Sequence, residues 1–161
     1  VPNEPAIPKC DASDALDAAM AEALSLARSA ALEGEVPVGA VATFEGRVVG
    51  RGANRRESAR DPTAHAELLA IQEAARTLGR WRLTGVTLVV TLEPCAMCAG
   101  AMVLARLDRL VFGTSDPKAG AAGSIVDLTS HPSLNHRFPV VSGVRAEECA
   151  ALLRDFFRAK R

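Results

Sequence analysis

Residues 86–105 read VTLVVTLEPCAMCAGAMVLA, and the change of pattern inside this stretch decides the fold. Residues 86–92 are an almost unbroken β-branched and apolar run, the mark of a strand covered on both faces. Pro94 ends that pattern and opens a helix expected to run through Ala105, because proline suits a first helical turn, where its missing N–H costs nothing. Cys95 and Cys98, three residues apart at that helix start, share one face.

Working outward, the same two periodicities alternate. Upstream, Leu16, Met20, Leu24, Ala27 and Ala31 recur at helical spacing. Ser13 is the expected N-cap, Asp14 and Asp17 lie in the positive first turn, and Gly34 ends the helix. Residues 36–44 and 47–53 flank Glu45-Gly46, which reads as a two-residue hairpin turn. A second helix is expected from near Thr63, after Asp61-Pro62, to Gly79. Downstream, 107–112 is another buried strand, and 113–135 is a long loop rich in Gly, Ser, Asp and Pro, a length usually reserved for function. Residues 138–142 are a short strand candidate. A last helix from about Ala146 carries Cys149, Leu152, Leu153 and Phe156 on one stripe. This order predicts an α/β fold: a mixed five-stranded sheet with helices on both faces, in three layers α/β/α. Residues 1–12, with Pro2, Pro5 and Pro8, read as a flexible leader, and 13–161 as a single domain.

Composition narrows the function classes. A chain of 161 residues buries about 70% of its unfolded surface in one core. No apolar stretch approaches the roughly 18 residues that span a bilayer, and no signal-like core opens the chain, so a cytoplasmic location away from any membrane is expected. Four cysteines (Cys10, Cys95, Cys98 and Cys149) are too few and too unevenly placed for a secreted disulfide framework. The formal net charge is zero, so no global field draws the protein onto nucleic acid. A nucleic-acid partner would need a local patch. Arg154, Arg158, Lys160 and Arg161 against Asp155 supply one, and Arg55 and Arg56, directly after Asn54, supply another.

The chemistry lies in a split cluster. His65-Ala66-Glu67 precedes Pro94-Cys95-Ala96-Met97-Cys98, which together form H-x-E…P-C-x-x-C, the recognised signature of zinc-dependent nucleobase deaminases. Alone, a Cys-x-x-Cys also suits a redox motif or half a zinc ribbon, but there is no second pair, and neither Cys10 nor Cys149 is placed as an obvious fourth ligand. One imidazole and two thiolates leave the fourth tetrahedral position of a zinc ion open to water, as catalytic zinc requires. His65 is expected in the first turn of its helix. Both helices then present positive ends to a centre whose net charge, with hydroxide, is about −1. Glu67, not needed as a ligand, is the expected proton shuttle: from water to the substrate's ring nitrogen, then to departing ammonia.

Longer matches surround these residues: Asn54, residues 61–67, residues 91–102, Gly120-Ala121-Ala122-Gly123-Ser124, His131-Pro132, Asn135-His136-Arg137 and Asp155-Phe156-Phe157-Arg158. From about Ala15 to the C-terminus the chain resembles the bacterial tRNA-specific adenosine deaminases, of the cytidine and deoxycytidylate deaminase superfamily. The resemblance implies a cytidine-deaminase-like fold, one zinc per chain on His65, Cys95 and Cys98, no organic cofactor, and a homodimer. It implies hydrolysis of the wobble adenosine of a tRNA anticodon to inosine. It further implies that Asn54 bonds the flipped adenine, and that Asp116, Asn135 and Phe157 lie near neighbouring nucleotides of the anticodon stem-loop. Two other readings use the same motif. One is a deaminase of a free base or nucleoside, such as guanine or cytosine. The other is a non-catalytic RNA-binding subunit stapled by zinc, against which the presence of Glu67 argues.

Overall fold

The computed structural model describes residues 12–161, so the expected leader lies, but for Ala12, outside the described residues. The elements follow the expected order: α1 (Ala12–Leu32), β1 (Gly39–Phe44), β2 (Arg47–Ala53), α2 (Ala66–Leu78), β3 (Thr87–Leu92), α3 (Ala96–Ala105), β4 (Arg109–Thr114), β5 (Val140–Val141) and α4 (Ala146–Ala159). They build a five-stranded sheet in the order β2-β1-β3-β4-β5. β1 is antiparallel to β2 and β3, whereas β3, β4 and β5 run parallel. Glu45 and Gly46 both adopt positive φ, 49° and 74°, which makes the hairpin turn the type whose twist matches the strands.

The alternation of strand side chains sorts the core into two layers. Ala40, Ala42, Leu88, Val90, Leu110 and Phe112 point to the face covered by α2 and α3. Val41, Val89 and Val111, between them, point to the face covered by α1 and α4, against Met20, Ala23, Leu24 and Cys149. This is the three-layer α/β/α arrangement expected.

Helix α2 lies on the backbone of β2. A Cβ on Gly52 would come 2.1 Å from the Ala66 carbonyl oxygen, and one on Gly50 would come 2.3 Å from that of Ala70. Glycine on the strand facing Ala66, Ala70 and Ala74 on the helix lets the two elements touch without intervening side chains. The N-terminus of α2 is thereby fixed beside the end of β2.

Several boundaries differ from expectation for local reasons. Ser13 lies inside α1 and is not its cap. Residues 36–38 precede β1, where Val38 N–H bonds the Val36 carbonyl in a tight turn. α2 begins three residues later than Thr63, because Asp61 Oδ1 accepts both the backbone N–H and the hydroxyl of Thr63 and holds an extra turn there. α3 begins two residues after Pro94, whose carbonyl is taken by Ala121 N–H at 2.8 Å. β4 is displaced two residues toward the C-terminus, and β5 shrinks to two residues.

Candidate active site

The late helix starts change what the two motifs do. His65 is the N-cap of α2 (φ −77°, ψ 149°), outside its first turn, and Cys95 is the N-cap of α3 (φ −73°, ψ 174°). Neither side chain caps its own helix, so both are available to a shared centre. His65 Nδ1 stands 3.5 Å from Cys98 Sγ and 3.7 Å from Cys95 Sγ, and the three donor atoms lie within 4.8 Å of one another. Zinc–sulfur and zinc–nitrogen bonds of about 2.3 and 2.0 Å at a tetrahedral angle demand a nitrogen–sulfur separation of about 3.5 Å. The donor set and its spacing fit that ion. Among the described residues no other His, Cys, Asp or Glu cluster offers a metal site.

The charges are arranged for a cation. The Cys98 thiol donates to Cys95 and lowers the Cys95 pKa to about 5, while that bond and burial push Cys98 upward. A divalent ion bound here would hold both sulfurs as thiolates. Glu67, in the first turn of α2, is only 4% exposed. Burial raises its pKa to about 7; the charge on Cys95 adds to this, against hydrogen bonds from its own backbone and from Cys98.

A cavity of about 760 Å³ opens over this cluster. It lies past the C-terminal ends of β3 and β4, where Leu92, Ser115 and Asp116 line it, the usual place for a crevice in a parallel sheet. Asn54, His65, Glu67, Cys95, Asp116 and Phe157 all line it, while Cys98 is fully buried beneath. Asn54 Nδ2 donates to the Val36 carbonyl at 3.1 Å and its Oδ1 accepts Arg56 N–H at 3.3 Å, so its amide plane is fixed with one N–H and one lone pair to spare. Asp116 Oδ1 accepts the N–H groups of Lys118 and Ala119 at 2.9 and 3.2 Å and shapes the loop beyond β4. Phe157 is half exposed, packed edge-on to Phe156 at 5.4 Å. Arg56, Lys118, Arg154, Arg158 and Arg161 rim the cavity with positive charge.

Two expected groups fall elsewhere. Asn135 is exposed and does not line this cavity. Its neighbour His136 bonds the Leu107 carbonyl at 2.6 Å, which holds this part of the loop at the N-terminal end of β4, opposite the cavity. Lys160 turns back to the Gly34 carbonyl and sits 4.9 Å over the Phe156 ring. Conversely, Glu93 and Lys118 line the cavity without having been singled out. Glu93 carried a signal: an acid between a buried strand and Pro94 has nowhere to go but the interior or the site.

Comparison with known proteins agrees with this geometry. A family model described as MafB19-like deaminase matches residues 15–161. A tRNA-specific adenosine deaminase of Bacillus subtilis is 50% identical over 142 residues, covering 88% of each chain. A solved structure from a study of A-to-I editing by tRNA:A34 deaminases at the wobble position superposes with a TM-score of 0.82 at 47% identity, covering 84% of this chain and 99% of that one. A guanine deaminase from Nitrosomonas europaea shares the fold more distantly, with a TM-score of 0.73 at 29% identity over 87% of this chain and 83% of that one. The fold and the His-Cys-Cys centre define a deaminase of the MafB19-like class. Within that class, the chain belongs to the tRNA-specific adenosine deaminase family.

Proposed function

We propose that the protein hydrolyses adenosine to inosine at the wobble position of a tRNA anticodon and releases ammonia. The observation that carries this reading is one cavity that combines the His65, Cys95 and Cys98 cluster and buried Glu67 with a rim of arginines and a half-exposed phenylalanine. A pocket for a free base needs the first part only. The cationic rim and aromatic face suit a single-stranded loop, whose phosphates need charge and whose splayed bases need a stacking surface.

His65, Cys95 and Cys98 would hold one zinc ion, which supplies the Lewis acidity that makes water nucleophilic near neutral pH. Asn54 orients the extruded adenine with its spare amide groups. Glu67 takes a proton from water as oxygen bonds to adenine C6, delivers it to N1, and then carries a proton to the amino group that leaves as ammonia. A side chain buried enough to hold its proton near neutral pH suits a shuttle that must both accept and give. Asp116 and Phe157 are assigned to nucleotides beside the target. A tRNA substrate also implies a cytoplasmic setting; among the described residues no helix is long and apolar enough to cross a membrane. A homodimer is supported by Met97 and Leu104, which share an exposed stripe of α3, and by exposed Ile125 and Val126.

Incubation of the zinc-loaded protein with tRNA, followed by sequencing, tests the reading: adenosine at the wobble position should be read as guanosine. Ammonia released from free guanine or cytosine but not from an anticodon stem-loop would replace it with a free-base deaminase. Stem-loop binding without any ammonia would make the protein a zinc-stapled RNA-binding subunit.

A further inference from the structure

Glu93 is the buried acid that the chemistry above does not use. It is 3% exposed, lines the cavity, and stands two residues before Cys95. Its Oε1 accepts the Ser124 hydroxyl at 2.6 Å, across 31 residues of chain. Its Oε2 has no hydrogen-bond partner among the described residues. A Cβ on Gly120 would fall 1.4 Å from Oε2 and 2.6 Å from the Asp116 carbonyl oxygen, so the loop backbone at Gly120 rests directly on this carboxylate.

The loop held in this way is the cavity wall. Gly120 N–H bonds the Asp116 carbonyl, Ala121 N–H bonds the Pro94 carbonyl, and Gly120 forms an isolated bridge with Cys95. Between Ser115 and Ala119 the same loop faces the cavity. Backbone bonds hold it at Pro94 and Cys95, but the Ser124 hydroxyl on Glu93 is the side-chain bond that closes the Gly120–Ser124 turn onto the end of β3. We infer that Glu93 is a positioning residue, whose carboxylate clamps the 115–124 wall so that Asp116 and Lys118 stand where nucleotides beside the target adenosine must pass. A clamp of this kind acts on substrate capture and leaves the proton transfers to Glu67.

This inference rests on the proposed deamination of a tRNA loop, and its test separates the two. Wild type, Glu93→Ala, Glu93→Gln and Ser124→Ala are compared in the zinc-loaded protein by stem-loop deamination kinetics, metal content, and amide hydrogen exchange over 115–125. Glu93→Ala and Ser124→Ala should raise KM by about tenfold, the scale of one lost hydrogen bond, with kcat and metal content near wild type. Exchange over the loop should accelerate in both. Glu93→Gln should behave as wild type, because its amide keeps an acceptor for Ser124 and puts a donor where Oε2 lacks a partner, beside the Asp116 carbonyl. Ser124→Ala preserves the test if Glu93→Ala does not fold. Unchanged KM and unchanged exchange in the alanine variants would overturn the clamp, as would a Gln variant as impaired as Glu93→Ala, or a loss confined to kcat. Inactive wild type with accelerated loop exchange in the variants would overturn the substrate assignment and leave the mechanical clamp standing.

Discussion

Glu35 Oε1 accepts the backbone N–H of Ser58 at 2.7 Å, and its Oε2 accepts that of Glu57 at 3.2 Å. This acid is 1% exposed and pins residues 55–61, the segment that leads into His65. Burial alone would raise its pKa, but the bonds from Ser58 and Glu57, helped by the Arg56 charge, hold it below its ordinary value. A carboxyl whose folded pKa is depressed stabilises fully above the unfolded value and loses that contribution as pH falls through the folded one. Glu35→Gln should therefore melt below wild type at pH 7, with the gap closing below about pH 4. Thermal melts across that range check it, and a gap independent of pH would remove the assigned charge effect. Glu35→Ala, which removes the charged acceptor of both N–H groups, should cost about 1–3 kcal/mol at pH 7.

Metal content should be one zinc per chain. Cys95→Ala and Cys98→Ala should each lose the metal and the activity together. Cys149→Ala is the control: that thiol lies in the other core layer, beside Met20, so it should keep the zinc while costing about 1–2 kcal/mol of packing. Elemental analysis with denaturant melts separates the cases. Zinc retained by Cys98→Ala would disprove the ligand set.

Glu67→Gln should keep zinc, fold and stem-loop affinity while turnover drops by about 10²–10⁴-fold, the usual weight of a general acid–base group. Single-turnover assays beside a binding isotherm make the measurement. Turnover above roughly a tenth of wild type would assign the proton shuttle to another group.

The rim and the aromatic face should separate by salt. Replacing Arg158 and Arg161 with Ala should weaken stem-loop binding for every sequence and flatten its salt dependence by about one unit per lost phosphate contact. Phe157→Ala should cost about 1–3 kcal/mol with the slope unchanged, because stacking releases no counterions. Affinity measured between low and moderate salt distinguishes them. Equal slopes for wild type and the arginine variant would dismiss the rim as a phosphate contact.

What the sequence made legible was periodicity and donor identity. The run 86–92, the Glu45-Gly46 turn and the helical stripe of α1 report burial and backbone sign directly, and each stands where it was expected. Helix starts were less legible because they depend on partners far away or on side-chain capture. The helix expected from near Thr63 and the one expected to open at Pro94 both start later, because Asp61 holds one start back and the 120s loop engages the carbonyl beside the other. The positions of Asn135 and Lys160 were illegible for a similar reason, since the bonds of His136 to the Leu107 carbonyl and of Lys160 to the Gly34 carbonyl set them through contacts distant in sequence. Glu93 was readable as an anomaly, but its partner Ser124 was not, because no periodicity links residues 31 apart.

The contact of Gly50 and Gly52 with Ala66 and Ala70 sets how still the centre can be. Residues without rotatable side chains forfeit no rotamer entropy when they pack, and have no alternative rotamer into which to relax afterwards. The helix that His65 caps and that carries Glu67 is seated on main-chain atoms, so the placement of imidazole and carboxylate over β2 inherits the stiffness of the peptide frame. Slow drift of that helix across β2 requires the backbone itself to move.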